Sequence, residues 1–554
     1  MQRSSRFLSR RLSTQFSSLA FNKESSLTSF DQPRATKPDF DPKISLPLQH
    51  RSVPDLVQSL LVFQLCQFKP LVQNGERLLD FSRAILGDNI TDAVIRETFF
   101  QQFCGGQNQS ELNAKILDLE SMGIGAILDY AAEDEGSTEN GNVSNVLNQP
   151  AQVYDYHSEE VCDHHVSTFI HCIHTVRDSQ ASDRRQFAAM KVTALGNPQL
   201  MQRMSVVVRH IQEVIHQFDE SGKGCLTREE FTRAHASLSP NDPISDELME
   251  ILDPNGNDTI DYVDWCTAAL PLAPGSDVFH PNLIPDKVSF CPKAIELMQA
   301  MQSRVHAIAQ EASKSNVCLL IDAEQSWFQP AIDVMSLGLQ ETYNNVDTAN
   351  RLNMPNRPII FNTYQCYLKD TMSRMKTDVD RSKRLGYHFG TKLVRGAYMQ
   401  RERARAEEMG YSSPIQDSLQ ATHDCYNAAV EYLLIQKVED QKKKKGRTLE
   451  LMCATHNRES IELAIDLMEK YKLAISENGK NDSIMSFAQL YGMSDDLTIP
   501  LGEYGYNVYK YLPFGEIREV IPYLLRRAQE NGDVLGKSAY EAKLVVGELK
   551  RRIM

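Results

Sequence analysis

Seven short apolar runs recur along the chain, most of them followed by an amphipathic stretch of helical period. This alternation constrains the fold more than any other feature of the sequence. The runs are AAMKVTAL (188–195), NVCLLIDAE (316–324), PIIFNTYQ (358–365), GTKLVRG (390–396), LELMCATHN (449–457), MSFAQLYG (485–492) and NVYKYLPFG (507–515). Most are continuously apolar, as strands of a parallel sheet covered on both faces must be. Between them, KAIELMQAMQSRVHAIAQEA (293–312), ATHDCYNAAVEYLLIQ (421–436) and ESIELAIDLMEKY (459–471) place apolar residues at helical spacing. The pattern predicts an α/β fold, a distorted (β/α)8 barrel of the TIM type, with its eighth strand unassigned. A doubly wound open sheet is the alternative, but no GxGxxG opens a helix and a Rossmann site is not supported.

The rest of the chain divides by composition. Residues 1–35 are rich in Arg and Ser with no acid before Glu24, the pattern of a mitochondrial transit peptide without structure of its own, a plastid one being the alternative. Residues 36–132 carry helical periodicity and read as an N-terminal helical region. Residues 133–150 are acidic and rich in Gly and Asn, an expected solvated linker. Residues 151–198 hold a helix and the first barrel strand, 199–275 an insert, 276–540 the remainder of the barrel, and 541–554 a C-terminal helix. The formal charge is 59 − 73 = −14, which speaks against a general nucleic-acid binder. No apolar run reaches the ~20 residues of a membrane span. The 11 cysteines are irregularly spaced and include no CxxC, which fits free thiols in a reducing compartment.

The insert interrupts the strand–helix rhythm with a pair of EF-hand-like loops. DESGKGCLTREE would ligate through Asp219, Ser221, Lys223, the Cys225 carbonyl, Thr227 and Glu230, turning at Gly224. DPNGNDTIDYVD would use Asp253, Asn255, Asn257, the Thr259 carbonyl, Asp261 and Asp264. Leu226 and Ile260, at the eighth position of each loop, should pair as a short β-bridge. Lys223 places a cation where an oxygen belongs, which disfavours loop one. Asp258 stands where glycine is usual and Asp264 where a longer glutamate is usual, so loop two is the one expected to hold an ion, Ca²⁺ weakly or Mg²⁺ instead, with a degenerate pair kept for packing as the alternative. His164, His171 and His174 share a helix face, but no carboxylate or cysteine completes a known metal spacing. QKKKKGR (441–447) reads as a solvated basic loop, with anionic lipid as the sharper alternative.

Barrel enzymes keep their chemistry at the carboxyl ends of the strands. There the runs carry Lys191, Asp322, Asn362, Lys392 with Arg395, His456, Gln489 and Tyr511. Each alone reads as a rim or satisfied core group. Seven together imply a polar ligand, because unpaired charges in a barrel opening are costly.

LIDAEQSWFQPAID (320–333), IIFNTYQCYLKD (359–370), KLVRGAYMQRERARA (392–406), ATHN (454–457), FAQLYGM (487–493) and YLPFGEIREVIPYLLRRAQENG (511–532) together resemble the mitochondrial FAD-dependent proline dehydrogenase family. The resemblance covers about residues 185–200 and 315–535. It implies oxidation of L-proline to Δ1-pyrroline-5-carboxylate by hydride transfer to noncovalent FAD. Electrons would pass to ubiquinone, at the matrix side of the inner membrane with peripheral contact. It further implies Arg526, Arg527 and Lys191 as carboxylate anchors, and Asp322 as a partner of Lys191. Tyr511, Leu490, Ala397 and Tyr398 would line the substrate, with Tyr511 favouring proline over hydroxyproline. Lys392, Val394, Arg395, Gly396, His456, Asn457, Asn362, Gln489 and Glu530 would hold the cofactor. On a helical wheel Arg526 and Arg527 lie on different sides, so both reach one ligand only if their helix crosses the barrel opening. Two rival readings remain: a relative preferring hydroxyproline, and a calcium-sensing interaction protein with a catalytically dead barrel.

Overall fold

Eight parallel strands close into a barrel in the order β1-β10-β9-β8-β7-β6-β5-β2. They are β1 (Gly125–Tyr130), β2 (Phe187–Met190), β5 (Cys318–Ile321), β6 (Ile360–Gln365), β7 (Phe389–Val394), β8 (Leu449–Ala454), β9 (Met485–Leu490) and β10 (Val508–Phe514). The remaining two strands, β3 (Cys225–Leu226) and β4 (Ile260–Asp261), lie in the insert. The computed structural model describes residues 37–130, 156–179, 184–238, 244–254, 256–272, 280, 283–284, 288–347, 349, 356–443, 447–473, 485–533 and 537–553. The expected transit peptide (1–35), the acidic linker (133–150) and Asn255 lie outside the described residues. Asp39–Met554 form one compact unit.

The missing eighth strand is β1, inside the segment whose periodicity reads as helix. The helix α1 (Gln109–Ser121) stops before it, because Gly123 takes φ +73 and the N–H of Ile124 returns to the Leu119 carbonyl at 3.0 Å. The chain then leaves as GAILDY, buried at every residue, and pairs with β10 on one side and β2 on the other. The first barrel strand is therefore β1 rather than the 188–195 run. That run contributes β2 only as far as Met190, and a short 3₁₀ turn follows from Val192.

Alternation along the strands sorts the core into two layers. Ile127, Phe187, Ala189, Cys318, Leu320, Phe361, Met452, Ala488 and Tyr509 fill the barrel interior. The intervening residues, such as Leu319, Ile360, Leu393 and Leu451, face the surrounding helices in the main core. This layering is that of a filled barrel and not a pore.

The insert consists of α2 (Pro198–Phe218), β3, α3 (Arg228–Leu238), α4 (Asp246–Leu252), β4 and α5 (Tyr262–Ala269). Its two helix–loop–helix units meet where β3 and β4 pair antiparallel, with Leu226 opposite Ile260. Phe231 and Trp265 pack edge to face at 4.7 Å beneath the pair. The insert rests on α6 (Thr371–Leu385), one of the barrel's outer helices, where Tyr262 donates a hydrogen bond to Asp378.

Candidate active site

Side-chain alternation also decides which polar groups enter the barrel opening. Asp129 lies two residues beyond interior Ile127, Lys191 two beyond Ala189, Asp322 two beyond Leu320, and Tyr511 two beyond Tyr509. Lys392 is inward by the same parity, because its neighbour Leu393 belongs to the outer layer. These five form one cluster. Lys191 Nζ donates to both oxygens of Asp129, at 2.9 and 3.1 Å. Asp322 accepts from Lys392 Nζ on one oxygen and from the Tyr511 hydroxyl, at 2.5 Å, on the other. The Lys392 ammonium stands 5.4 Å from the centroid of the Tyr511 ring. Two ammonium groups thus face two carboxylates. Such a balance is what allows four charges to remain in a poorly solvated place. Burial, with Asp129 and Asp322 alongside, holds the Tyr511 phenol well above its ordinary pKa, so it stays a neutral donor.

The lysine bonded to Asp322 is thus Lys392, and Lys191 pairs with Asp129. Asp129 is a candidate site residue that sequence reasoning misses. Its signal is present: AILD in β1 repeats the LLID of the strand carrying Asp322, an apolar run ending in Asp at the same point.

Beyond β7 lies a cation of another kind. Arg395 donates from Nε to His423 Nδ1 at 2.9 Å, from Nη2 to Ser460 Oγ at 2.8 Å, and from Nη1 to Thr455 Oγ1. Its guanidinium stacks 4.4 Å from the Tyr426 ring centroid. These partners are all neutral: burial and the neighbouring guanidinium hold the His423 pKa down. Burial likewise lowers that of Arg395. A half-buried guanidinium without a carboxylate suits an anionic ligand, a diphosphate above all. Next to it, Gly396 takes φ +126, and a Cβ there would lie 2.4 Å from the Tyr367 ring. The residues present therefore fit the diphosphate of a dinucleotide cofactor. His456 lies beyond β8 with a fixed tautomer. Its Nε2 accepts from the Leu490 N–H at 3.1 Å, which leaves Nδ1–H for Ser494 Oγ at 2.7 Å.

Over the opening runs α8 (Ile517–Asp533). Arg527 is buried, 4.9 Å from the Tyr523 ring and bonded to Glu530 at 2.5 Å, and its Nε has no hydrogen-bond partner. Arg526 reaches the other way, its guanidinium 5.7 Å from the ring of Tyr398 in the segment after β7. Both Arg527 and Asp129 act electrostatically on Tyr523 and on Cys104, which places this helix close to the carboxyl end of β1.

Four expected cofactor contacts are otherwise engaged. Asn362 faces the outer layer, fully buried, with its amide on Asp333 at 3.0 Å. Gln489 also points outward, between the Thr455 carbonyl at 3.1 Å and the Thr498 hydroxyl at 2.9 Å. The Asn457 side chain caps the helix α7 (Arg458–Lys470) by accepting from the Ser460 N–H at 2.8 Å. Glu530 is bound by Arg527 rather than free for an adenosine. Val394 and Leu490 end their strands half-buried, and Ala397 is exposed.

The calcium reading does not fit the second loop. Asp253 accepts from Arg228 at 2.9 Å and from the Asn257 and Asp258 N–H groups. Asp261 accepts from Arg381 and Arg384 on one oxygen and from the Val263 and Asp264 N–H groups on the other. Asp264 is held by Arg381 at 2.7 Å and by the Asp261 N–H at 3.0 Å. Asn257 accepts from both donors of Thr259. Every carboxylate oxygen expected to ligate already has a protein donor. Among the described residues, no group of three His, Cys, Asp or Glu side chains could hold a metal ion. Asp258 does take the left-handed turn expected of it, at φ +57.

A closed β/α barrel with charges and a buried arginine helix at its carboxyl-end opening is an enzyme scaffold for a small charged substrate. The family model described as proline dehydrogenase matches residues 115–539. "Proline dehydrogenase 1, mitochondrial" of Homo sapiens is 33% identical over 548 residues, spanning 90% of this chain and 87% of that one. "Hydroxyproline dehydrogenase" of Bos taurus is 29% identical over 509 residues, covering 91% of each. Among solved structures, proline utilization A from Bdellovibrio bacteriovorus, inactivated by N-propargylglycine, superposes with a TM-score of 0.51. It is 15% identical and covers 93% of this chain and 42% of that one, a likeness of fold. The chain belongs to the proline dehydrogenase family, whose enzymes are FAD-dependent oxidoreductases acting on proline.

Proposed function

We propose that this barrel opening oxidises L-proline to Δ1-pyrroline-5-carboxylate with FAD, in the mitochondrion. The observation that carries the cofactor assignment is Arg395, a guanidinium that the protein surrounds with neutral partners. Lys392, Val394, Arg395, Gly396 and His456 would hold FAD, which supplies a hydride acceptor. Arg526 and Arg527 bind the substrate carboxylate, for which a pair of guanidinium forks is well matched. Tyr511, Leu490, Ala397 and Tyr398 enclose the ring. With its hydroxyl committed to Asp322, Tyr511 presents a fixed wall that favours proline over its hydroxylated analogue. Lys191 and Asp129, and Lys392 and Asp322, keep the floor of the site charge-balanced and rigid, so that the substrate is held in reacting geometry.

Electrons pass on to ubiquinone, with the protein peripheral to the matrix side of the inner membrane. Consistent with that, no described helix is long and apolar enough to cross a membrane.

An absorption spectrum of the purified protein, before and after anaerobic addition of L-proline, tests this reading. A flavin band that bleaches with proline is expected, and absence of any flavin would overturn it. Arg395→Gln should lower bound flavin several-fold while the fold persists, measured as the ratio of flavin to protein absorbance.

A further inference from the structure

Both loops of the insert face one side of α6. Gly224, the turning point of the first loop, packs so closely that a Cβ there would lie 2.8 Å from Thr377 Cγ2. In the second loop Tyr262 bonds Asp378, at 3.1 Å. Arg381 binds Asp261 and Asp264, and reaches Glu341 at 2.7 Å. Arg384 binds Asp261 at 2.6 Å and the Thr259 hydroxyl at 2.8 Å. Residues 377, 378, 381 and 384 share one face of a helix. Arg381 and Asp261 are almost wholly buried, at 2% and 1% side-chain exposure.

Three of the second loop's four carboxylates, Asp253, Asp261 and Asp264, meet the guanidinium groups of Arg228, Arg381 and Arg384, and the exposed fourth, Asp258, accepts from the Arg228 backbone N–H. A divalent ion added to this set would have to displace protein donors from each carboxylate that it met. We propose that the arginines of α6 take the place of a divalent cation in the second loop, docking the insert on the barrel permanently and without an ion there. A fold that elsewhere exposes or hides a surface as an ion comes and goes is here held in one state by the chain's own side chains.

The full-length protein tests this by calorimetric titration with CaCl2 and by thermal unfolding in millimolar CaCl2, MgCl2 or chelator. The wild type should give no saturable binding heat and the same Tm in all three solutions. Arg384→Gln should unfold at a lower temperature. Arg381→Gln with Arg384→Gln, which frees two carboxylates, should unfold lower still and recover part of the loss in CaCl2. A wild type whose Tm rises with calcium would overturn the proposal. So would arginine variants with an unchanged Tm, or a double variant indifferent to calcium. Should the double variant not fold, Arg384→Gln alone decides, since Arg384 is the more exposed of the two. A lowered Tm partly restored by CaCl2 supports the proposal, and a Tm equal to that of the wild type overturns it.

Discussion

At the scale of single residues, the site depends on how buried charges are matched. Lys191 and Asp129 are nearly inaccessible, at 7% and 1% side-chain exposure. Removing one leaves the other's buried charge without its ion-pair partner, which typically costs about 3–5 kcal/mol. Lys191→Met should therefore destabilise the protein by roughly that amount in denaturant unfolding. Adding Asp129→Asn should recover much of the stability. Activity should not follow: both variants should lose about 10²-fold or more in kcat/KM for proline, since a displaced substrate reacts slowly. Equal recovery of activity and stability would show the pair to be structural only. On the adjoining strand β10, Tyr511→Ser should open space and release a hydroxyl-bonding position beside Asp322. The ratio of kcat/KM for hydroxyproline to that for proline should rise about tenfold or more, a change of roughly 1.4 kcal/mol in discrimination. The sequence displays these residues openly, because a charge inside an apolar strand is conspicuous. What it conceals is direction. Asn362 and Thr363 are neighbours in β6, and which one faces the opening depends on a parity set by Phe361 inside the barrel. A shift of one residue exchanges the two faces, so Asn362 and Gln489 look functional in the sequence and turn outward in the fold.

At the scale of elements, the strand–helix alternation makes seven barrel strands readable, and β1 shows why the eighth is not. Apolar residues continue at helical spacing from α1 through Gly123 and Gly125, and only the left-handed turn at Gly123 breaks the helix. Gly125 then sits against Tyr509, with a hypothetical Cβ 2.4 Å from its ring. Gly125→Ala should force the ring or the strand to move, at a cost of about 1–3 kcal/mol. Thermal unfolding should show a lower Tm, while Gly222→Ala, where no atom lies within 4 Å, separates backbone strain from crowding. An unchanged Tm for Gly125→Ala would mean that β1 is not seated in the barrel as described. The helix α8 teaches the same lesson from the other side. Its wheel sets adjacent Arg526 and Arg527 apart, and the structure uses both directions. Arg526 meets Tyr398 beyond β7, and Arg527 turns back over Tyr523 of its own helix.

At the scale of the whole molecule, one carboxyl group joins three parts of the fold. Asp378 of α6 accepts the Tyr262 hydroxyl from the insert at 3.1 Å and the Tyr364 hydroxyl from barrel strand β6 at 2.6 Å. Burial, and then the nearby carboxylate of Asp333, raise its pKa from 3.8 to about 7. The sign of the consequence is fixed by linkage. In the unfolded chain this group gives up its proton near pH 3.8; in the folded chain it keeps it up to about 7. Its contribution to stability is therefore complete at pH below about 3.8 and is lost as pH rises through about 7. Asp378→Asn keeps an acceptor for one hydroxyl and removes the titration. As pH rises from about 3.8 to about 7, the wild type should lose stability relative to this variant, by a few kcal/mol in total, with no further change above that. Other titrating groups act in both proteins and cancel in the difference. The comparison is made by chemical denaturation of wild type and variant at several pH values across that interval. A difference that stays constant with pH would mean that Asp378 is already ionised in the fold, and that the two tyrosines bind a carboxylate rather than a carboxylic acid. A difference that grows with pH would place a shared proton at the joint between the insert, the outer helix and the barrel wall.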